Sequence, residues 1–120
     1  MRKISRKGLI RKLDKAMSVR VIERDKRCFT CGTTQNLTCG HLFTRSYYIV
    51  RWDELNCVAQ CVGCNFRHEF DPAVYQLKFI DKHGLEIYKE LYRKAHRPNK
   101  FTDKQLKQML EKIWKNSISK

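Results

Sequence analysis

Residues 28–32 read Cys-Phe-Thr-Cys-Gly and residues 61–65 read Cys-Val-Gly-Cys-Asn, so a C-x2-C pair stands at each end of this stretch. Two such pairs in one short chain are typical of a tetrahedral zinc site with four thiolate ligands. Each pair can wrap a tight turn around the ion, which then pins two distant segments together. A closed shell of four cysteines leaves no open coordination position, so the predicted zinc is structural. The four predicted zinc ligands are Cys28, Cys31, Cys61 and Cys64.

Two further cysteines, Cys39 and Cys57, lie between the pairs. We interpret both as small buried apolar residues, because a free cysteine commonly packs in this way. A metal shared among other cysteines is the alternative, although their spacing is less regular. Disulfides are disfavoured, because the N-terminus lacks the apolar stretch of a signal peptide and no apolar run is long enough to span a bilayer. The sequence therefore predicts a cytoplasmic protein without a membrane segment.

The charge is strongly positive and unevenly distributed. The 120 residues carry a formal net charge of +14. Residues 1–27 hold 11 basic and 3 acidic side chains, residues 28–92 hold 6 and 7, and residues 93–120 hold 9 and 2. Two basic ends around a nearly neutral centre suit a polyanion such as DNA or RNA. The alternative is a basic surface that only keeps the protein soluble.

The pattern of apolar residues predicts an α+β fold that is mostly helical. Residues 37–43 and 49–52 are rich in apolar and β-branched residues, which favours two strands, and a helix should start near the second cysteine pair. Zinc would then lie at the base of a ββα core formed by residues 28–70. A basic arm and helix precede the core over residues 1–27. A basic helical region for DNA binding and dimerisation follows it over residues 71–120.

Local signals set the boundaries of the helices around this core. Residues 1–8 predict a disordered basic lead, and an apolar face at helical spacing predicts a helix over residues 9–26. Asp71, which precedes a proline, predicts a helix start, and Gly84 predicts the end of that helix before a second one. The run Thr-Asp-Lys-Gln at residues 102–105 is a capping box. It opens a last helix whose predicted buried side is formed by Leu106, Met109, Leu110, Ile113 and Trp114.

His41 is a candidate catalytic residue, because it lies on the first predicted strand between the two cysteine pairs. Asn65 and His68 follow in the next predicted helix, where residues three apart share one face. This is the layout of a ββα-metal nuclease, also called a His-Me finger. Phosphodiester cleavage needs a base that activates water and a cation that stabilises the leaving oxygen. We predict His41 as the base and Asn65 with His68 as cation ligands; a structural His41, a capping Asn65 and an exposed His68 are the alternatives.

Four other polar residues complete the predicted site. Asn56 precedes the second cysteine pair, where its amide can tie the loop backbone together and hold His41 in place. An ordinary turn residue is the alternative for Asn56. Arg45 and Arg51 on the predicted hairpin, and Arg67 on the following helix, are predicted to bind DNA phosphates, because a guanidinium matches phosphate oxygens well.

The same residues resemble the phage NinG/Rap family of recombination proteins. The resemblance rests on the two cysteine pairs, on Gly40-His41 and on Asn56, and it covers roughly residues 9–113. It implies selective cleavage of branched DNA, such as Holliday junctions and D-loops, during phage recombination in a bacterial host cell. It also implies kinship with the HNH nucleases, including phage endonuclease VII, with His41 as general base and Asn65 as a metal ligand.

One position departs from the pattern that this resemblance implies. Many such nucleases have an acidic residue or a histidine directly before the catalytic histidine, and that residue binds the cation. This chain has Gly40 at that position. The cation must then be held by Asn65, His68 or another group, or His41 itself is a ligand.

We therefore predict a metal-dependent endonuclease that cleaves branched DNA and uses a structural zinc and a catalytic Mg²⁺ or Mn²⁺. A histidine ligand favours manganese or another transition ion. Symmetric cleavage of a junction needs two active sites, so we expect a homodimer, with the apolar C-terminal helices as candidates for its interface. An HNH nuclease acting on duplex DNA and a zinc-finger DNA-binding protein without catalysis are the rival hypotheses.

Overall fold

The computed structural model describes residues 4–97 and 100–118. Within them, helices surround a small two-stranded sheet, so the predicted α+β class, mostly helical, is confirmed. The elements in chain order are helix α1 (Arg6–Asp25), strand β1 (Leu37–His41), short helix α2 (Tyr48–Arg51), a 3₁₀ turn (Glu54–Asn56), strand β2 (Cys57–Cys61), and helices α3 (Val62–His68), α4 (Ala73–His83), α5 (Leu85–Ala95) and α6 (Asp103–Ile118).

The sheet is an antiparallel hairpin whose second strand differs from the predicted one. Residues 49–52 were expected to form that strand, but most of them lie in α2, and β1 pairs instead with Cys57–Cys61. An apolar run as short as Ile49-Val50 fits either a strand or a buried helical turn, so periodicity could not decide. The alternation expected of a strand is missing in β2 because its first four residues are buried on both faces.

The two faces of the hairpin carry two separate apolar clusters. On one face, α1 packs against β2 and against α6 through buried residues that include Leu13, Met17, Ala59 and Leu106. The second cluster brings the loop after β1 together with α4 and α5. Its buried residues are Leu42, Phe43, Val50, Val58, Tyr75, Phe79, Leu91 and Ala95. The hairpin is therefore the middle layer, with α1 and α6 packed on one face and α4 and α5 on the other.

The predicted N-terminal lead is partly helical. The Ser5 side chain accepts a hydrogen bond from the Gly8 N–H at 3.1 Å, so it caps α1 and starts the helix at Arg6. The prediction of disorder over residues 1–8 is therefore wrong for residues 6–8, while residues 1–3 lie outside the described part of the chain. The apolar face predicted for this helix was Ile10, Leu13, Met17 and Val21; the last three are buried, whereas Ile10 is half-buried and Leu9 is buried instead.

Of the three end signals predicted for the C-terminal helices, one is wrong and two are confirmed. Asp71 does not cap α4: the helix follows Pro72 without a side-chain cap, and the Asp71 carboxylate accepts from Arg67 Nη2 at 3.2 Å. Gly84 ends α4 as predicted, with a φ of 92° that favours glycine. The capping box is confirmed, because the Gln105 N–H donates to Thr102 Oγ1 at 3.1 Å and the Thr102 N–H donates to Gln105 Oε1 at 2.8 Å.

The last helix buries less of its apolar side than predicted. Leu106 is fully buried in α6, and Met109, Leu110 and Ile113 pack against the same cluster. Trp114 is 58% exposed, so its predicted burial is wrong. At about 100° per residue, Trp114 lies about 80° around the helix from Leu106, at the margin of the apolar stripe.

The long helices are charged along much of their length. α1 has 20 residues and α6 has 16; lysine recurs in both, and arginine recurs in α1. Across residues 4–97 and 100–118, none of the helices combines the length and the apolar character that crossing a bilayer requires.

A carboxylate on α1 ties this helix to the loop between the strands. Asp14 Oδ1 accepts from Arg51 Nε at 3.0 Å and from Trp52 Nε1 at 2.9 Å, while its Oδ2 accepts from Arg51 Nη2 at 2.7 Å and from Arg45 Nη2 at 2.6 Å. Burial by itself would raise the pKa of Asp14, but the hydrogen bonds from Arg51, Arg45 and Trp52 outweigh it and lower the pKa. Asp14 therefore holds a paired charge at the junction of α1 and α2.

The substitution Asp14→Asn tests this connection. It should lower the free energy of unfolding by about 2 kcal/mol, because it removes the charge that pairs with the Arg51 guanidinium, whose side chain is only 12% exposed. Urea unfolding of both proteins at neutral pH measures the difference. Asp81→Asn, which changes an exposed carboxylate on α4, is the matched control and should change the free energy by less than about 0.5 kcal/mol. Equal effects of the two substitutions would contradict a structural role for Asp14.

Candidate functional site

The four cysteines of the two C-x2-C pairs converge at one end of the hairpin. Their sulfur atoms all lie within 4.8 Å of one another, and the Cys31 and Cys61 sulfurs are 3.8 Å apart. A tetrahedron with zinc–sulfur bonds of about 2.3 Å has a sulfur–sulfur edge of about 3.8 Å. The four sulfurs therefore fit a structural metal ion such as zinc, held by Cys28, Cys31, Cys61 and Cys64.

Backbone amides support both cysteine pairs in the same way. The Cys31 N–H points to the Cys28 sulfur and the Cys64 N–H to the Cys61 sulfur, each at 3.4 Å. Burial would raise the pKa of the Cys28 thiol, but backbone hydrogen bonds, that of Cys31 foremost, lower it to about 6. Cys61 is both the last residue of β2 and the N-cap of α3. An ion in this cluster would thus lock the strand-to-helix corner onto the loop that begins at Cys28.

His41 ends β1 with one ring nitrogen already engaged. Its Nε2 lies 2.8 Å from the carbonyl oxygen of Arg51, and a carbonyl only accepts, so Nε2 carries the proton and Nδ1 keeps its lone pair. Burial lowers the pKa of His41 below its ordinary value of 6.5. The imidazole is therefore neutral near pH 7 and can accept a proton through Nδ1.

Two side chains of α3 are held by the strand and loop beside it. Asn65 Nδ2 donates to Thr38 Oγ1 at 3.2 Å, an arrangement that leaves the amide oxygen of Asn65 available as an acceptor. His68 Nε2 lies 3.0 Å from the Leu42 carbonyl oxygen, so its Nδ1 carries the lone pair. His68 Nδ1 is buried and has no hydrogen-bond partner among the described residues.

One cleft brings these groups together. It has a volume of about 890 Å³, and His41, Asn65 and His68 all line it. Asp14 of α1 and Glu69, just after α3, contribute carboxylates to the same wall. The arrangement thus places a neutral imidazole, an amide and a second imidazole around a space large enough for part of a substrate.

Asn56 holds the loop that leads away from His41. It is fully buried, and its Nδ2 donates to the carbonyl oxygens of Phe43 and Val50, each at 3.0 Å. Its Oδ1 accepts from the Phe43 N–H at 2.8 Å. The amide therefore ties the backbone after β1 to α2, whose last residue, Arg51, accepts the hydrogen bond from His41.

The three arginines predicted to bind DNA occupy different environments. Arg51 is largely buried by its pairing with Asp14, while Arg45 shares that carboxylate and still has 57% of its side chain exposed beside the cleft. Arg67 pairs with Asp71 at the surface and lies outside the lining of the cleft. Of the three, Arg45 is the one that lines the cleft.

A scan against protein-family models matches residues 3–119 to NinG, described as the bacteriophage lambda NinG protein. The chain belongs to the NinG family. No curated protein and no solved structure was found to match it. The matched range includes both cysteine pairs, Gly40-His41 and Asn56, and the geometry above adds where these residues lie.

The glycine before His41 has a packing explanation in this NinG family member. A Cβ atom at Gly40 would lie 2.0 Å from Gln60 Oε1 and 2.8 Å from Gln60 Cδ. Gln60 is itself buried, its Nε2 donates to Thr30 Oγ1 at 2.8 Å, and its Oε1 has no partner among the described residues. The amide of Gln60 thus occupies the space in which a side chain at position 40 would begin. Sequence reasoning assigned Gln60 no role, since its contact with Gly40 depends on the hairpin register.

Gly40→Ala tests this packing. The added methyl group should lower the free energy of unfolding by about 1–3 kcal/mol, because Gln60 must leave its buried position and give up its hydrogen bond to Thr30. Gly63→Ala is the matched control, since a Cβ at Gly63 would meet no atom within 4 Å. Denaturant unfolding of both variants measures the effects. A Gly40→Ala protein as stable as the Gly63→Ala protein would contradict the proposed clash.

Removal of one thiolate tests the four-cysteine cluster. Cys31→Ser changes an exposed residue, so it removes little packing, yet it should lower the free energy of unfolding by several kcal/mol because metal binding is coupled to folding in sites of this kind. Elemental analysis and thermal unfolding measure metal content and stability together. Thr34→Ser, in the same exposed loop, should retain both. Wild-type stability in a strong chelator would show that the cluster needs no ion.

Proposed function

We propose that this chain is a metal-dependent DNA endonuclease that cleaves branched DNA, including Holliday junctions and D-loops, in phage recombination. The observation that carries the proposal is the neutral His41, with a free Nδ1, in one cleft with Asn65 and His68. The order β1, β2 and α3 beside a four-thiolate cluster supports a His-Me finger, or HNH, core. Membership of the NinG family supports the recombination role.

In the proposed reaction, His41 acts as the general base. Its Nδ1 takes a proton from a water molecule, and the water oxygen forms a bond to phosphorus while the bond from phosphorus to the 3′-oxygen breaks. The hydrogen bond to the Arg51 carbonyl keeps the ring in the required tautomer and stabilises the imidazolium that forms. The leaving oxygen receives a proton from solvent, so the products are a 5′-phosphate and a 3′-hydroxyl.

Asn65 and His68 are the residues that would hold the catalytic cation. The amide oxygen of Asn65 suits Mg²⁺ or Mn²⁺, and the unpartnered Nδ1 of His68 favours Mn²⁺. Such an ion supplies positive charge that stabilises the phosphorane and the leaving oxygen. Gly40 contributes no ligand, and its position is closed to larger residues by Gln60.

Basic side chains near the cleft support DNA as the substrate. α1 contributes Asp14 and Ser18 to the cleft, and its exposed basic residue Arg11 lies along the same helix. Lysines 104, 107 and 112 of α6 are also exposed. Since α1 and α6 pack together, these charges lie on two adjoining helices and can bind a phosphate backbone.

A homodimer would supply the two active sites that symmetric cleavage of a junction needs. α1 and α6 leave an apolar groove of about 460 Å³ between them, lined by residues that include Val19, Leu110 and Trp114. Val19 is 45% exposed and Trp114 is 58% exposed, so the groove offers an apolar surface for a second copy. The proposed place of action is the cytoplasm of the bacterial host.

The substitution His41→Ala tests the assignment of the base. It should reduce cleavage of a four-way junction in Mn²⁺ by about 10²–10⁴-fold and leave junction binding unchanged. Since burial lowers the pKa of His41 below 6.5, the wild-type rate should rise with pH through that lowered value and level off by neutral pH, and the variant should lack this rise. His83→Ala, on α4 outside the cleft lining, is the control and should cut normally.

Substrates of different shape distinguish the rival hypotheses. Equal cleavage of a four-way junction and of a linear duplex with the same sequence would support an HNH nuclease without junction selectivity. Binding of DNA without cleavage in either Mg²⁺ or Mn²⁺ would support a zinc-containing DNA-binding protein and would reject the nuclease.

A further inference from the structure

A second cluster of metal-binding side chains lies on the hairpin, apart from the four-thiolate cluster. One ligand atom each from Cys39, His41 and Cys57 lies within 4.8 Å of the other two. Cys39 and His41 share a face of β1 because side chains alternate along a strand, and Cys57 lies directly opposite His41 on β2. The antiparallel register therefore collects two thiols and an imidazole at one point.

We propose that Cys39, His41 and Cys57 bind a second zinc ion. Two thiolates and one imidazole are ligands that zinc prefers, whereas Mg²⁺ takes oxygen ligands and would avoid this set. Three protein ligands leave a fourth coordination position open, unlike the closed four-cysteine cluster. The two clusters thus differ in the number of protein ligands and in whether a coordination position stays open.

The surroundings of the second cluster suit a bound cation. Cys39 and His41 line the large cleft, so an ion can enter from solvent, while Cys57 is fully buried and lies outside the cleft lining. Two thiolates balance the charge of Zn²⁺, which makes a buried Cys57 thiolate acceptable only when the ion is present. The hydrogen bond between His41 Nε2 and the Arg51 carbonyl is of the kind that orients a metal-bound imidazole.

Zinc at this site would prevent His41 from acting as a base, an inference that rests on the proposed nuclease function. A neutral imidazole has one nitrogen lone pair, and the other nitrogen carries the proton. Whichever nitrogen binds the ion, no lone pair remains to accept a proton from water. Zinc bound here would therefore inhibit the enzyme, and a thiol-containing chelator would restore it.

Metal stoichiometry tests the site without reference to activity. The reduced, metal-free protein is titrated with buffered zinc and, in a separate sample, with Co²⁺, whose thiolate charge-transfer absorption reports coordination by sulfur. We expect two ions per wild-type chain and one per chain in Cys39→Ala and in Cys57→Ala. In these variants the second site should lose zinc affinity by more than about 100-fold, since even groups that only support a ligand change metal affinity by 10–100-fold. Cys39 is only half-buried, so its variant keeps the test valid if Cys57→Ala fails to fold.

Three outcomes would overturn the second site. One ion per wild-type chain at every zinc concentration would reject it, and so would two ions per chain in the folded Cys39→Ala protein. A Cys39–Cys57 disulfide that accounts for both thiols in the protein as isolated, with no second ion after reduction, would also reject it.

The link to catalysis has a separate readout. Zinc beyond the first equivalent should inhibit cleavage of a junction by the wild type and leave the Cys39→Ala enzyme active. Two ions per chain without inhibition would support the site and overturn its inhibitory role. Absence of cleavage with every divalent ion, together with two ions per chain, would overturn the nuclease and the inhibition but support the second zinc site.

Discussion

The four sulfurs at the end of the hairpin are the constraint on which the rest of the structure depends. Cys61 belongs at once to β2, to the cap of α3 and to the metal cluster, so one ion would set the angle between strand and helix. That angle decides where Asn65 and His68 lie relative to β1. In a chain of 120 residues with two small apolar clusters, such a constraint replaces part of the stability that a larger core would provide.

At the other end of the hairpin, polar side chains hold the backbone in place through hydrogen bonds. Asn56 joins the backbone after β1 to α2, and Asp14 holds α2 against α1 through Arg51. The Arg51 carbonyl, fixed in this way, orients the ring of His41. The position of one imidazole thus depends on side chains from three different segments, which explains why its tautomer is defined even though it lies beside an open cleft.

The same imidazole belongs to both of the proposed sites. Towards the cleft, His41 is a neutral acceptor near Asn65 and His68. With Cys39 and Cys57 it forms a set of ligands suited to a soft ion. In the two proposals, oxygen-preferring cations and thiophilic cations are therefore separated by ligand type, and occupancy of the second set would decide whether His41 can act as a base.

The sequence alone determined the helical class, the apolar face of α1, the capping box and the cysteine pairs. Each of these features depends on residues that lie within a turn or two of one another in the chain. Tertiary structure alone decided the features that depend on distant partners. The second strand lies at residues 57–61, where it pairs with β1, while Ile49-Val50 packs as a helical turn in the second apolar cluster. Asp14 pairs with Arg51, and Gln60 contacts Gly40. The partners in each contact are tens of positions apart in the sequence, so no local pattern predicts either contact.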